Sequence, residues 1–122
     1  MSPRRDIRMG DEEVDRFLRT QARAVVVALD AEGLPSGGVG RLVIGAGAVG
    51  FALRAEDPVV RLLGRDDRAC CIAEQFPSYY GIRGVMLHGR ARVAAAAGSG
   101  EAAFDLAVER VVSYDFGKLL AP

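Results

Sequence analysis

The stretch AVVVALDAEGLPSGGVGRLVIGAGAVGFALR, residues 24–54, carries three apolar runs separated by two tight turns. The first run, AVVVAL (24–29), is β-branched and ends at Asp30-Ala31-Glu32-Gly33, where Gly33 suits the positive φ of a hairpin turn. The second run starts near Pro35 and continues to Ile44. The third, AVGFALR (48–54), follows Gly45-Ala46-Gly47, a second hairpin turn. Strands joined by turns this short pair antiparallel, because a parallel neighbour needs a long crossover. The first half of the second run, Ser36-Gly37-Gly38-Val39-Gly40, is almost bare of side chains. Glycine inside a strand marks a bulge or a close approach to the backbone; a loosely packed edge strand would read the same way.

The flanking sequence extends this pattern. DEEVDRFLRTQA (11–22) places Val14, Phe17, Leu18 and Ala22 at helical spacing, and its first turn is acidic, as the positive end of a helix dipole favours. A second helix is predicted after the third strand, with Asp57 as cap, Pro58 in the first turn, Val59, Leu62 and Leu63 on its apolar face, and Gly64 as C-cap. RACCIAEQF (68–76) reads as a fourth strand. Pro77 to Gly81 is a connection carrying Tyr79 and Tyr80, and IRGVMLHGRARVA (82–94) is a long fifth strand with Gly84 and Gly89 as bend points. Ala94 to Gly100 reads as a flexible linker. Residues 101–112 fit either element: Phe104, Val108, Val111 and Val112 recur at helical spacing, whereas Phe104, Leu106 and Val108 alternate as in a strand. The expectation is a mainly β chain, a single domain over residues 1–122 with a flexible lead at 1–10, closed into a small antiparallel barrel.

Composition narrows the function classes. Half of the 122 residues are hydrophobic, enough to fill a core, and 16 basic residues balance 16 acidic ones. A nucleic-acid binder normally shows a basic excess; Arg4, Arg5 and Arg8 read as a solvated start to the chain. No apolar run approaches the roughly 20 residues of a spanning helix, and the basic start lacks the apolar segment of a signal peptide. Neither nucleic acid nor membrane is an expected partner. Cys70 and Cys71 are adjacent, so on a strand they face opposite sides and do not pair. They read as small apolar residues in a reducing cytoplasm. With His88 as the sole histidine there is no Ser-His-Asp set, no metal-ligand spacing, and no catalytic side chain to assign. The Ala-, Arg- and Gly-rich composition fits a high-GC bacterium.

Four segments together resemble the pyridoxamine 5'-phosphate oxidase-like proteins, the split β-barrel flavin and deazaflavin oxidoreductases. AVVVALDAEGLP (24–35) is similar to their first strand and D-x-x-G-x-P turn, and FALR (51–54) with LLGRDDR (62–68) to their third strand, phosphate-side helix and entry to strand four. YGIRGVMLHGRA (80–91) looks like the Y-x-x-R-G-V-x-x-x-G-x-A strand of the FMN/F420 branch, and ERVVSYDFGK (109–118) like the closing tail. The resemblance spans residues 11–119. It implies a six- to seven-stranded antiparallel split barrel, a strand at 102–113 followed by a short turn, and a homodimer with FMN or F420 bound between protomers. It further implies an oxidoreductase acting on a small organic substrate.

The resemblance also implies where that cofactor would lie. Relatives grip its phosphate with a Ser/Thr and a Lys at the start of the second helix, where hydroxyl, ammonium and helix terminus favour an anion. Here those positions are Asp57 and Val59, which oppose such a grip. Arg54, Arg61 and Arg41 are the substitutes, since guanidinium binds phosphate in bidentate fashion; Leu53 and Gln75 complete the expected cofactor contacts, with Glu74 beside Gln75 as a further polar group. The bare Pro35–Arg41 segment lacks the ring-side bulk of relatives, and the 94–100 connection is shorter than theirs. The alternative is a repurposed, non-catalytic barrel for another ligand, a tetrapyrrole among them, with His88 as its only imidazole. Tyr79 and Tyr80 suit a dimer interface or stacking on a ring.

Overall fold

Gly33 and Gly47 take φ of 79° and 71°, so both hairpins close as their turn residues dictate. The structure, a computed structural model, describes residues 6–94 and 100–120. Its elements are α1 (Asp11–Arg19), β1 (Arg23–Leu29), β2 (Pro35–Gly45), β3 (Ala48–Arg54), α2 (Pro58–Arg65), β4 (Arg68–Gln75), β5 (Arg83–Val93) and β6 (Glu101–Asp115), with 3-10 turns at Tyr79–Gly81 and Phe116–Leu120. The six strands close into one barrel in the order β1-β2-β3-β6-β5-β4, every pair antiparallel. Arg4 and Arg5, and residues 95–99 of the short connection, lie outside the described residues.

Alternation sorts the strands into two faces. Val26, Phe51, Leu53, Cys71 and Val85 point inward and are fully buried, and Phe51 stacks on Phe104 across the β3–β6 seam at 5.4 Å. Helix α2 packs against β1 and β2. Its inner face, Val59 and Leu63, belongs to the same core. Cys71 is buried, which pushes its thiol up to about 12, and both cysteines are free.

The bare half of β2 satisfies both readings of its glycines. Residues 35–40 pair with β1 only, and β3 joins β2 from Arg41 onward. Into that split leans the cap of α2: a Cβ on Gly38 would lie 2.7 Å from an Asp57 carboxylate oxygen.

Several expectations shift in detail. Helix α1 stops at Arg19 rather than at residue 22, because the Thr20 N–H and hydroxyl both turn back to the Phe17 carbonyl. Gly64 is not the cap of α2; the helix continues to Arg65 and Asp66 closes it through its N–H to Leu62. Gly84 is no bend point: it lies beneath the Tyr114 ring, which a Cβ would strike. Gly89 does sit at the register shift between β5 and β6. Residues 101–115 are strand, as the resemblance implies. The described part of the lead packs down at Ile7–Met9: Asp115 N–H donates to the Ile7 carbonyl at 2.8 Å, Met9 N–H donates to Ser113 Oγ at 2.9 Å, and Met9 is buried. Lys118 Nζ clamps this junction, donating to the Arg8 carbonyl and to the Glu13 carboxylate, which it holds below the usual range.

Candidate functional site

Where β3 parts from β2, a groove of about 480 Å³ opens on the outer face of the barrel. Ala22, Arg23, Val39, Gly40, Arg41, Ala52, Arg54 and Glu101 line it. Strand register builds the groove. Arg23 sits opposite Arg41 and Arg41 opposite Ala52 in one row across three strands, and Arg54 sits opposite Glu101 two residues further along β3 and β6. The floor between the guanidinium groups is Gly40 and Ala52, which leaves a flat, side-chain-poor surface. Three arginines face one glutamate, an excess of positive charge.

Two of these arginines have carboxylate partners. Arg41 donates to Glu101 at 3.0 Å and Arg54 to Glu56 at 3.1 Å, both on the surface. Solvated pairs of this kind hold weakly, so an incoming phosphate can compete for either guanidinium. The start of α2 is different. Asp57 Oδ1 accepts from the Val59 N–H at 2.9 Å, so the helix satisfies its own N-terminus with a built-in anion. Val59 is 1% exposed and points into the core, so it reaches no ligand.

The structure gathers two of the five expected cofactor contacts, Arg41 and Arg54, in this groove. It corrects the Leu53 assignment: that side chain is 0% exposed inside the barrel, and only its outward neighbours Ala52 and Arg54 reach the groove. Arg61 is exposed on α2 and is not among the lining residues. Gln75 ends β4 away from it, within 3.5 Å of Gln21, and with its oxygen turned to Arg83 it accepts from that guanidinium at 3.0 and 3.2 Å. Sequence reasoning missed Arg23 and Glu101. The β1–β2 hairpin register, Leu29 opposite Pro35, already implies Arg23 opposite Arg41; the distant pairing that delivers Glu101 has no such local signal.

A second, smaller cleft of about 260 Å³ lies on the outer face of β1, β4 and β5. Val27, Leu29 and Ala69 give it apolar walls, and Cys70 and His88 meet in it with Sγ and Nε2 3.9 Å apart. Beside it runs an outward row, Val39, Val25, Ile72, Met86 and Val112, contributed by five neighbouring strands. Val39 is 61% exposed, so this band is an apolar surface of the isolated chain.

At the far end of β4 and β5, Tyr114 donates to Glu74 at 2.5 Å and joins an edge-to-face cluster through Phe116 to Tyr79 and Tyr80. Glu74 is therefore engaged here, not at the arginine groove. Burial first, and the bond to Glu74 second, push the Tyr114 hydroxyl up to about 12 from an ordinary 10.0. The folded state thus holds this proton longer than the unfolded chain. The stabilisation is fully present below pH 10 and is lost as pH rises from there toward about 12. Phenolate absorbance should show one tyrosine ionising late in this window, and Tyr114→Phe should abolish that step and flatten the decline in urea midpoint. An unchanged titration in the variant would refute the assignment.

No family model matches the chain, and no curated protein matches it by sequence. Solved structures do. A conserved hypothetical protein from Mycobacterium tuberculosis aligns over 100% of this chain and 94% of its own, at 18% identity and a TM-score of 0.82. HutZ, a haem storage protein from Vibrio cholerae, aligns over 85% and 94%, at 10% identity and a TM-score of 0.70. A Clostridium acetobutylicum protein of the pyridoxinephosphate oxidase family, related to general stress protein 26, aligns over 85% and 87%, at 13% identity and a TM-score of 0.68. Among the described residues no helix is long and apolar enough to cross a membrane. Closed by six antiparallel strands and plugged by one helix, the chain has the split β-barrel fold that oxidase-family and haem-storage structures share.

Proposed function

We propose that the Arg23–Arg41–Arg54 groove binds FMN or F420 and that the chain works as an oxidoreductase on a small organic substrate. The observation that carries this reading is the flat Gly40–Ala52 floor flanked by guanidinium groups, a surface that suits a planar ring with an anionic tail. Arg41 and Arg54 would hold the phosphate, in place of the helix terminus that Asp57 occupies. When bound, the cofactor supplies the hydride chemistry; the chain's own residues bind it, orient it and exclude water. The groove is open to solvent in one copy. A homodimer packed through the apolar Val25–Ile72–Met86 band would bury that band and bring a second wall to the groove. Two free cysteines suit work in a reducing cytoplasm.

The test is a fluorescence titration of the purified chain with FMN and, separately, with F420, run beside analytical ultracentrifugation. Saturable binding of one cofactor by a dimer is expected. A monomer that takes up neither overturns the reading.

The second reading is a tetrapyrrole-binding barrel without catalysis, favoured by His88 opening into the apolar cleft. At about 260 Å³ that cleft is too small to enclose a macrocycle by itself, so a second copy would have to complete it. A Soret band that persists in His88→Ala would exclude the imidazole as ligand.

A further inference from the structure

We infer that Arg23 anchors an anionic group of the substrate, so that the groove selects small organic acids, a carboxylate on an apolar body, over neutral molecules of the same shape. The inference rests on the cofactor reading above, in which Arg41 and Arg54 hold the phosphate. Among the described residues, arginine stands directly opposite arginine at two places on the barrel: Arg68 with Arg90 across β4 and β5, and Arg23 with Arg41 across β1 and β2. Like charges directly opposite on paired strands repel, and the first pair shows how the chain answers that. Asp66 holds Arg68 and Asp67 holds Arg90, each at 2.7 Å, one carboxylate per guanidinium.

The second pair has one carboxylate for two guanidinium groups. Glu101 takes Arg41 at 3.0 Å, Glu56 takes Arg54 at 3.1 Å, and Arg23 makes no ion pair among the described residues. The uncompensated charge of the groove therefore lies at Arg23. Strand order separates it from the phosphate. Arg23, Arg41 and Arg54 stand on β1, β2 and β3, neighbours in that order. A phosphate bridging Arg41 and Arg54 lies on the β2–β3 side, and the Arg23 guanidinium serves the other end.

The surroundings of Arg23 set the rest of the ligand. Ala22 and the exposed Val39 line the same groove, and its one acidic lining residue, Glu101, is committed to Arg41. An apolar body can lie on Val39 while its carboxylate accepts from Arg23. The guanidinium fork offers that carboxylate two parallel N–H donors. A neutral amide in its place turns an NH₂ group toward the fork, donor against donor, and an amine is repelled. A bound carboxylate also relieves the repulsion between Arg23 and Arg41, as Asp66 and Asp67 do at the other pair.

The experiment is isothermal titration calorimetry of the full chain, alone and after addition of FMN or F420, with benzoate and with its neutral isostere benzamide. Benzoate is expected to bind at least about tenfold tighter, the usual worth of a charge-assisted contact. Arg23→Gln should erase that preference, and Arg23→Lys, which keeps the charge but loses the fork, should keep part of it. Circular dichroism establishes that each variant folds. Equal affinity for the two probes in the parent overturns the inference, as does a preference that survives in Arg23→Gln. A loss of cofactor affinity in Arg23→Gln as large as in Arg54→Gln would give Arg23 to the cofactor and overturn the substrate role equally. A chain that takes up neither cofactor yet keeps an Arg23-dependent preference for benzoate upholds the acid site and overturns only the cofactor reading, so the two failures are distinguishable.

Discussion

Gly50→Ala is expected to lower the melting temperature by about 10 °C or more, a large loss of stability for the addition of a single methyl group. Gly50 lies in the middle of β3, opposite Val43 of β2 on one side and Asp105 of β6 on the other. A Cβ there would collide with the Phe104 carbonyl oxygen. The obstacle is backbone, and it belongs to the strand that closes the barrel, so no rotamer change relieves it. Relief requires β3 and β6 to separate, which breaks ladder hydrogen bonds and pulls Phe51 off Phe104. Overpacking of a tight core commonly costs about 1–3 kcal/mol, and a contact with immovable backbone lies at the upper end. For a domain near this size, each kcal/mol shifts the midpoint by roughly 4 °C. The same seam delivers Arg54 from β3 and Glu101 from β6, so the groove should lose definition with it. Thermal melts and urea titrations of parent and variant measure the cost. A midpoint within about 2 °C of the parent would mean the seam yields far more readily than a packed interior does.

Hairpins β1–β2 and β2–β3 could be read directly, because β-branched runs and turn glycines are local signals and the register follows from the turn. The last strand could not. Residues 102, 104 and 106 face one way, but the register slips at Glu109, between the pairings of Gly89 with Val108 and of His88 with Arg110. That extra residue breaks the period of two and leaves Phe104, Val108, Val111 and Val112 imitating a helical stripe. The cofactor residues divide along the same line. Arg41 and Arg54 are outward on paired strands, and alternation alone places them on one face. It equally places Leu53 inside, since Arg54 beside it points out. Val59 departs from the relatives' ligand-holding residue at that position, and the fold gives the reason: α2 needs an apolar residue there to pack into the core.

Reversing both groove charges, Arg41→Glu with Arg54→Glu, is expected to reduce affinity for FMN or F420 by at least about a hundredfold while leaving the fold intact. Each guanidinium would contribute a charge-assisted contact to phosphate, and losing one such contact commonly costs about tenfold or more. Reversal adds repulsion, because a carboxylate at position 41 faces both the ligand and Glu101. Stability should change little. Arg41 and Arg54 side chains are 56% and 83% exposed, and their ion pairs are solvated. Arg61→Glu, compared with Arg54→Glu alone, supplies the control: it makes the same change in net charge as that single variant, on α2 and away from the groove lining. Binding by that variant should stay within about twofold of the parent, because a solvated charge beyond the groove is screened over a Debye length of about 8 Å at physiological salt. If Arg61→Glu instead weakens binding as much as Arg54→Glu does, the phosphate lies at the helix. Asp57 would then have to give up the Val59 N–H to admit it, and the assignment of the groove would be wrong.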